Sequence, residues 1–304
     1  MGVRFTVLAS GSAGNATFVQ ADGFGLLIDI GLGPRHLASR LASTGASWRS
    51  VHAVILTHTH SDHWKERTLA HLRSLKIPLY CHPGHQAVLE ICSSSFRDLR
   101  AAGLVRSIER NEVCKPAPHV HCLPVEVPHD SDPTFAFRLD GSPGLFGPSW
   151  SAGYASDLGT VPPALVEAFR NVDLLAIEFN HDEAMERRSG RPWFLVQRVL
   201  SDKGHLSNNQ GSAAVRAVVV ASDAGMLRHV IQLHLSRDCN LPRLAAAEGR
   251  QALDACGSAA GLFTAGQDRV TKSLELDPAR RRVSRRAAPT PRPGSLPTRG
   301  DASS

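Results

Sequence analysis

The sequence lacks two features that would place it in a class at once: paired cysteines and a long apolar run. Its six cysteines are scattered without a C-x-x-C pair, which argues against a zinc knuckle, a redox motif or a disulfide framework in a chain of 304 residues. No apolar stretch approaches the roughly 20 residues of a membrane span, and the N-terminal apolar run is too short for a signal peptide. These absences predict a cytoplasmic protein with free thiols and no membrane association.

The chain also has little net charge once its C-terminal end is set aside. The net charge is +6, but residues 277–304 contain seven arginines and two aspartates, a net of +5, so the preceding 276 residues carry only +1. We therefore predict one folded domain over residues 1–276 and a basic, Pro/Arg-rich disordered tail over residues 277–304. The tail either grips phosphate backbones by counterion release or is a solvated extension without a role.

The hydrophobic pattern alternates short strands with helices and by itself predicts an α/β or α+β fold. Strands are expected at residues 5–10, 15–21, 25–30, 51–57, 79–82, 120–127, 134–140, 172–179 and 230–235. Helices are expected at residues 66–74, 85–102, 191–201, 208–221 and 241–256, and residues 262–276 are expected to close a second sheet. This order is compatible with two facing sheets that carry helices on their outer sides.

The segment T-H-T-H-S-D-H at residues 57–63 is the most informative part of the chain. In an extended backbone His58 and His60 project to the same side, because strand side chains alternate with period two. A turn after them would direct Asp62 and His63 toward a neighbouring point. A histidine-rich surface loop is the alternative interpretation, but a mixed His/Asp cluster at a strand end is what two-metal hydrolases need. We predict a site for two adjacent metal ions.

This segment resembles the signature of the metallo-β-lactamase fold superfamily, and the resemblance implies a four-layer αβ/βα sandwich. It also implies further metal ligands after later strands, and His129, Asp157 and His234 stand at the expected places. The implied ligand sets are His58, His60 and His129 for one ion, Asp62, His63 and His234 for the other, and Asp157 as the bridge between them.

Finer motifs are similar to the YycJ/WalJ-like hydrolases, a branch related to tRNase Z and to cyclic phosphodiesterases. These motifs are L-A-S-G-S-A-G-N-A-T at residues 8–17, E-F-N-H-D at 178–182, G-H-L-S-N at 204–208 and H-L-S at 234–236. The resemblance covers residues 4–276 and implies that this domain is a hydrolase; the better-described relatives are nucleases, some acting from 5′ ends of DNA. One departure is Trp64-Lys65-Glu66, where relatives often carry a glycine, and it affects the shape of the pocket rim.

The expected chemistry is attack by a hydroxide held between two divalent ions, because metal coordination lowers the pKa of water toward neutrality. Asp62 is also placed to orient this hydroxide. A ligand set of imidazoles and carboxylates without thiolate suits zinc first and manganese second. The resemblance to tRNase Z implies that His205 protonates the leaving group and that Glu178 supports it. The alternative for His205 is a histidine that only caps a loop.

The leading functional hypothesis is a dinuclear metallohydrolase that cleaves phosphodiesters in DNA or RNA. The alternative is a hydrolase of small molecules on the same fold, with a cyclic phosphodiester, a thioester or a lactam as substrate. A third possibility, a non-catalytic binding protein, is disfavoured by the complete ligand set. The near-neutral domain weakens the nucleic-acid hypothesis, whereas the His205 and Glu178 motifs strengthen the phosphodiester hypothesis. The polarity of cleavage and the oligomeric state stay open.

Overall fold

The computed structural model describes residues 2–131, 133–144 and 147–276, so the predicted tail at residues 277–304 lies outside the described residues. The strands are Val3–Ala9 (β1), Ala16–Ala21 (β2), Phe24–Ile28 (β3), Ala53–Ile55 (β4), Leu79–Cys81 (β5), Val105–Ser107 (β6), Cys114–Ala117 (β7), Val120–Val127 (β8), Thr134–Gly141 (β9), Pro143–Gly144 (β10), Gly147–Pro148 (β11), Ser151–Ala155 (β12), Leu174–Glu178 (β13), His229–Leu233 (β14), Gly261–Thr264 (β15) and Leu274–Leu276 (β16). The helices are Pro34–Ala42 (α1), Glu66–Leu75 (α2), Pro83–Cys92 (α3), Ser94–Ala101 (α4), Pro163–Ala168 (α5), Glu183–Arg187 (α6), Trp193–Leu200 (α7), Asn208–Ala221 (α8) and Pro242–Ala255 (α9). Each of these helices is too short or too polar to cross a bilayer.

Two seven-stranded sheets organise the fold. The first has the order β16-β1-β2-β3-β4-β5-β6 and the second the order β15-β14-β13-β12-β9-β8-β7. Each sheet is mixed: β3 to β6 run parallel in the first, and β12 to β15 run parallel in the second. The carboxyl ends of parallel strands lie at one edge of a sheet, which is where α/β proteins place their functional loops.

Alternating side chains divide the core into three apolar clusters, which lie between four layers of secondary structure. In β3, Leu26 and Ile28 pack in the cluster between the two sheets, while Leu27 points to the other face and packs in the cluster with the N-terminal helices. The second sheet packs in the same way against α5, α8 and α9 through residues such as Leu165 and Val215. The layers therefore run helix, sheet, sheet, helix, and the predicted four-layer αβ/βα sandwich is confirmed.

The helix expected over residues 85–102 is two helices, so that prediction was wrong at one point. The chain leaves the helical conformation at Ser93, which has φ −133° and ψ 117°. Its hydroxyl accepts the backbone N–H of Phe96 and caps α4. Serine competes with helical backbone hydrogen bonds in this way, and it therefore favours the start of a helix over its interior.

The C-terminal part of the domain corrects a second expectation. Residues 262–276 do not close one sheet as a unit. β15 pairs with β14 in the second sheet, whereas β16 crosses back and pairs antiparallel with β1 in the first. The backbone N–H of Thr271 donates to the carbonyl of Val7, which fixes this crossing.

A hydrogen-bonded contact between α2 and the start of α4 leads to a prediction about stability. The Glu66 carboxylate accepts hydrogen bonds from the hydroxyls of Ser93 and Ser94 and from the backbone N–H of Ser95. Slight burial would raise its pKa, but the hydrogen bonds from Ser93 and Ser95 lower the pKa of Glu66 to about 2. We expect Glu66→Gln to lower the free energy of unfolding at pH 7 by about 1 kcal/mol, as for a lost helix cap.

The pH dependence separates this contact from a general effect of the substitution. A carboxyl with a lowered folded-state pKa stabilises above its unfolded pKa and loses that contribution as the pH falls toward the folded value. Urea unfolding at pH 7 and at pH values below 4.5 should therefore show the difference between wild type and Glu66→Gln shrinking in acid. The exposed Glu112→Gln is the control, and a cost for Glu66→Gln that does not change with pH would contradict the assignment.

Candidate metal centre

The predicted ligands follow strand ends and meet at one edge of the two sheets. Residues 58–63 follow β4, His129 follows β8, Asp157 follows β12, and His234 follows β14. Because β12, β13 and β14 are parallel neighbours, the residues after them are delivered to the same edge. The fold thus brings together side chains that lie up to 176 residues apart in the sequence, from His58 to His234.

His58, His60 and His129 form the first set of possible metal ligands. Their ligand atoms lie within 4.8 Å of one another. His129 Nδ1 lies 2.9 Å from the carbonyl oxygen of Gly204, to which it can donate, so Nε2, which lies 3.3 Å from His60 Nδ1, is the atom that can act as a ligand. The Nε2 atom of His58 is buried and has no hydrogen-bond partner among the described residues. A buried nitrogen without a partner is costly, and a cation would satisfy it.

Asp62, His63 and His234 form the second set, again with ligand atoms within 4.8 Å. The Nε2 atoms of His63 and His234 each lie 3.6 Å from Asp62 Oδ2. His234 Nε2 is, like the His58 nitrogen, buried without a hydrogen bond to any described residue. Asp157 lies within reach of both sets. A carboxylate oxygen of Asp157 lies within 4.8 Å of ligand atoms of His58, in the first set, and His63, in the second.

Asp29 orients the loop that carries the predicted ligands at residues 58–63. Its carboxylate accepts hydrogen bonds from the backbone N–H and the hydroxyl of Thr57, and it lies 2.8 Å from His63 Nδ1. This contact leaves His63 Nε2 to face the centre. Gly31, two residues later, packs so closely on the loop that a Cβ there would lie 1.7 Å from the carbonyl oxygen of Asp62. The turn at residues 29–31 therefore needs both the carboxylate of Asp29 and the glycine at position 31.

Three residues of the centre have a left-handed backbone conformation. Asp29, Asp157 and His234 adopt positive φ angles of 62°, 60° and 56°. Side chains other than glycine rarely adopt this left-handed conformation, and it persists where the surrounding structure enforces it, typically at functional sites.

Buried carboxylates dominate the electrostatics of the centre. Asp29, Asp157 and Glu178 are at most 1% exposed, and their ion-pair partners are histidines. Burial alone would lower the pKa of His63, but Asp29 and Asp157 outweigh it and raise that pKa to about 10. Burial would likewise raise the pKa of Asp157, yet His234 and His63 hold it well below its usual range. A buried field of this sign favours cations.

His205 and Glu178 lie together beside the second ligand set. His205 Nδ1 is 2.8 Å from Glu178 Oε1, and the other carboxylate oxygen accepts the backbone N–H groups of Leu158 and Leu206. Burial would raise the pKa of Glu178, but the neighbouring His205 outweighs this effect and lowers that pKa to about 2. His205 lines a cavity of about 390 Å³. With Nδ1 directed to Glu178, Nε2 is the atom left for a substrate.

Glu178 also contacts the metal centre, which the sequence did not indicate. Its Oε1 lies 3.0 Å from His234 Nδ1 as well. Asp157, Glu178, His205 and His234 could therefore be taken for a further set of ligands. Because Glu178 occupies the Nδ1 atoms of both histidines, we interpret it as the residue that orients them.

Two further residues at the centre were missed by the sequence analysis. Asn15 Nδ2 lies 3.2 Å from Asp62 Oδ2 and 3.0 Å from His63 Nε2. Asp130 Oδ1 lies 3.4 Å from His60 Nε2 and 3.3 Å from His129 Nε2. The available signals were weak: Asp130 follows a predicted ligand, and Asn15 ends the glycine-rich turn.

Comparisons with known proteins agree with this geometry. The beta-lactamase superfamily domain matches residues 25–227. The chain is 27% identical over 267 residues to the exodeoxyribonuclease YycJ of Bacillus anthracis, covering 86% of this chain and 93% of that protein. It is 27% identical over 245 residues to the exodeoxyribonuclease WalJ of Streptococcus pneumoniae, covering 81% and 86%.

A solved structure shows the same fold. The metallo-beta-lactamase fold protein YhfI from Bacillus subtilis has a TM-score of 0.63 and 17% identity, and the match covers 91% of this chain and all of that one. The chain therefore belongs to the beta-lactamase superfamily as an enzyme homologous to YycJ and WalJ, which confirms the resemblance inferred from its motifs.

Proposed function

We propose that this chain is a dinuclear metal-dependent phosphodiesterase that removes nucleotides from the ends of DNA strands. The observation that carries the proposal is that two three-residue ligand sets and the shared Asp157 lie beside the His205–Glu178 pair, and that His205 also lines an open cavity. The relatives YycJ and WalJ are exodeoxyribonucleases, which supports DNA as the substrate.

The residues present fit a pair of divalent cations. His58, His60 and His129 would hold one ion, and Asp62, His63 and His234 the other, with Asp157 between them. The buried Nε2 atoms of His58 and His234 support this assignment, because neither makes a hydrogen bond to a described residue and each belongs to a different set. Imidazoles and carboxylates without thiolate suit zinc, with manganese as the second choice. Such ions, when bound, lower the pKa of water and stabilise charge on a phosphodiester oxygen.

The protein's own residues supply orientation and a proton. Asp29 fixes the ring of His63, and the Asp62 side chain is 20% exposed, so it can accept a hydrogen bond from the attacking water. His205 donates a proton from Nε2 to the alkoxide that leaves. Glu178, which is fully buried, holds the ring through Nδ1 and balances its positive charge.

The proposal extends to domain organisation and location. One hydrolase domain would occupy residues 1–276, and the basic segment at residues 277–304, outside the described residues, would add phosphate contacts. A cytoplasmic location belongs to the same proposal because DNA is the proposed substrate.

The His205→Ala variant tests the proposed reaction through the leaving group. A nucleotide alkoxide needs a proton to leave, whereas p-nitrophenolate hardly needs one. We expect the variant to hydrolyse DNA about 100-fold more slowly, the usual scale for a general acid, while retaining turnover of bis-p-nitrophenyl phosphate. Steady-state rates on both substrates, with the exposed His36→Ala as control, measure the difference.

Two results would count against this account. Equal losses on DNA and on the p-nitrophenyl ester would mean that His205 has a structural role. A wild-type enzyme that cleaves neither DNA nor RNA but turns over a cyclic phosphodiester, a thioester or a lactam would favour the small-molecule alternative.

A further inference from the structure

We propose that one face of α7 binds the unpaired end of the DNA strand, with the Phe194 ring stacked on a base and the Arg198 guanidinium on a phosphate. The inference rests on the proposed nuclease function and assigns the residues that guide the strand into the cavity. Its occupant is a single strand, because the faces of the bases are accessible only where they are unpaired.

The cavity that contains His205 has α7 as one wall. Leu195, Arg198 and Val199 of this helix line it, and Ser12 and Ser236 line other parts of the same cavity. A strand entering along α7 therefore reaches His205 and Asp130, which line the same cavity.

Two adjacent aromatic residues begin α7, and both stand exposed. Trp193 is 72% exposed and Phe194 is 74% exposed. Apolar rings at such exposure are uncommon in the absence of a partner, since their burial is favourable. Aromatic rings beside a cavity also match the way in which nucleases and other single-strand binders hold bases without sequence preference.

The helical repeat separates the two rings. Neither ring lines the cavity itself. Phe194 lies one turn before Arg198, and residues four apart share a helix face, so Phe194 lies next to the face of α7 that lines the cavity. The residues one turn after Trp193 are Val196 and Gln197, and neither lines the cavity. Trp193 is thus an exposed aromatic of equal accessibility that faces elsewhere.

Arg198 has donors available for a phosphate. Its Nε donates to Asp130, and its two Nη atoms make no hydrogen bond to any described residue. Asp130 in turn contacts His60 and His129, so a phosphate on Arg198 would lie next to the metal centre. Asp130 balances part of the positive charge, and we therefore expect stacking on Phe194 to supply most of the affinity. Arg191, by contrast, is held by Glu186 and Asp238.

The experiment compares Phe194→Ala with Trp193→Ala in the metal-loaded full-length protein. Substrates are a single-stranded oligodeoxynucleotide, the same oligonucleotide with abasic sites at its terminal positions, and bis-p-nitrophenyl phosphate. We expect Phe194→Ala to raise KM for the single strand by about 5- to 150-fold, the range of one base stack. The loss on the single strand should exceed the loss on the small ester by the same factor, and Trp193→Ala should behave as wild type.

The abasic substrate gives a readout that a merely structural role would not produce. Removing the bases should raise KM for wild type and should raise it no further for Phe194→Ala, because the stacking partner is already absent. Arg198→Gln should weaken binding regardless of sequence and reduce the salt slope by about one.

Three outcomes would overturn the inference. A Phe194→Ala variant that cleaves the single strand with the wild-type KM would overturn the inference but leave the proposed nuclease function intact. Equal effects of Trp193→Ala and Phe194→Ala would show that the face has been misassigned. A stable dimer in light scattering that Phe194→Ala dissociates would mean that a second copy of the chain covers this face. Wild type that cleaves only the small ester would instead refute the nuclease function itself.

Discussion

The Asp157→Asn variant is expected to lose more than about 99% of its hydrolytic activity and to keep its fold. Residues that only support metal ligands already cost 10- to 100-fold when they are replaced, so a carboxylate shared by both ligand sets should cost more. Asp157 is 1% exposed. Its Oδ2 lies 3.1 Å from His63 Nε2, its Oδ1 lies 3.2 Å from His234 Nδ1, and a carboxylate oxygen also lies within 4.8 Å of a ring nitrogen of His58. Asparagine keeps the shape of this side chain and removes its charge.

A buried aspartate elsewhere in the same sheet provides the matched control. Asp173 is 2% exposed and accepts the backbone N–H of Ser151 immediately before β13, at the end of the strand remote from Glu178. We expect Asp173→Asn to reduce the melting temperature while leaving metal content and activity per folded molecule unchanged. Asp157→Asn with activity within a few-fold of wild type, or with a collapsed circular dichroism spectrum, would show that Asp157 has been misassigned.

The parts of the fold that could be predicted are those specified by local sequence. The helix expected over residues 208–221 is α8, Asn208–Ala221, because the hydroxyl of Ser207 and the side chain of Gln210 form a capping box that marks its start. Most of the buried strands were likewise predicted from alternating or continuous apolar residues. The buried strand β12, Ser151–Ala155, was not among them.

The errors lie where the structure depends on distant partners. The break between α3 and α4 is stabilised by Glu66, which is 27 residues from Ser93 in the sequence. The three-residue strand β16 joins the first sheet only because β1, more than 260 residues earlier, offers it an edge. Neither relation leaves a periodic signal in the residues concerned.

The same division holds for the candidate site. Residues 58–63 form a local motif, and the structure groups its histidines and Asp62 with the side chains of His129 and His234. Asn15 approaches the same loop from 47 residues away, and it does so through a turn that looks like any tight turn in the sequence. Asp130 stands next to His129, yet only the fold shows that it links Arg198 to two of the predicted ligands.

The second large effect concerns metal content, because the seven predicted ligands do not contribute equally to the two sets. Asp62 belongs only to the set with His63 and His234, whereas the set of His58, His60 and His129 does not include it. We therefore expect Asp62→Ala to lose one ion and to retain the other. The exposed Asp254→Ala, on the far helix α9, should keep both.

The central claim is that these side chains bind a pair of ions, and counting the ions tests it most directly. Native mass spectrometry, together with elemental analysis of protein purified without chelator, should give about two divalent metal ions per chain for wild type and about one for Asp62→Ala. Wild-type protein that carries no more than trace metal, and that takes up none when zinc or manganese is added, would contradict the account.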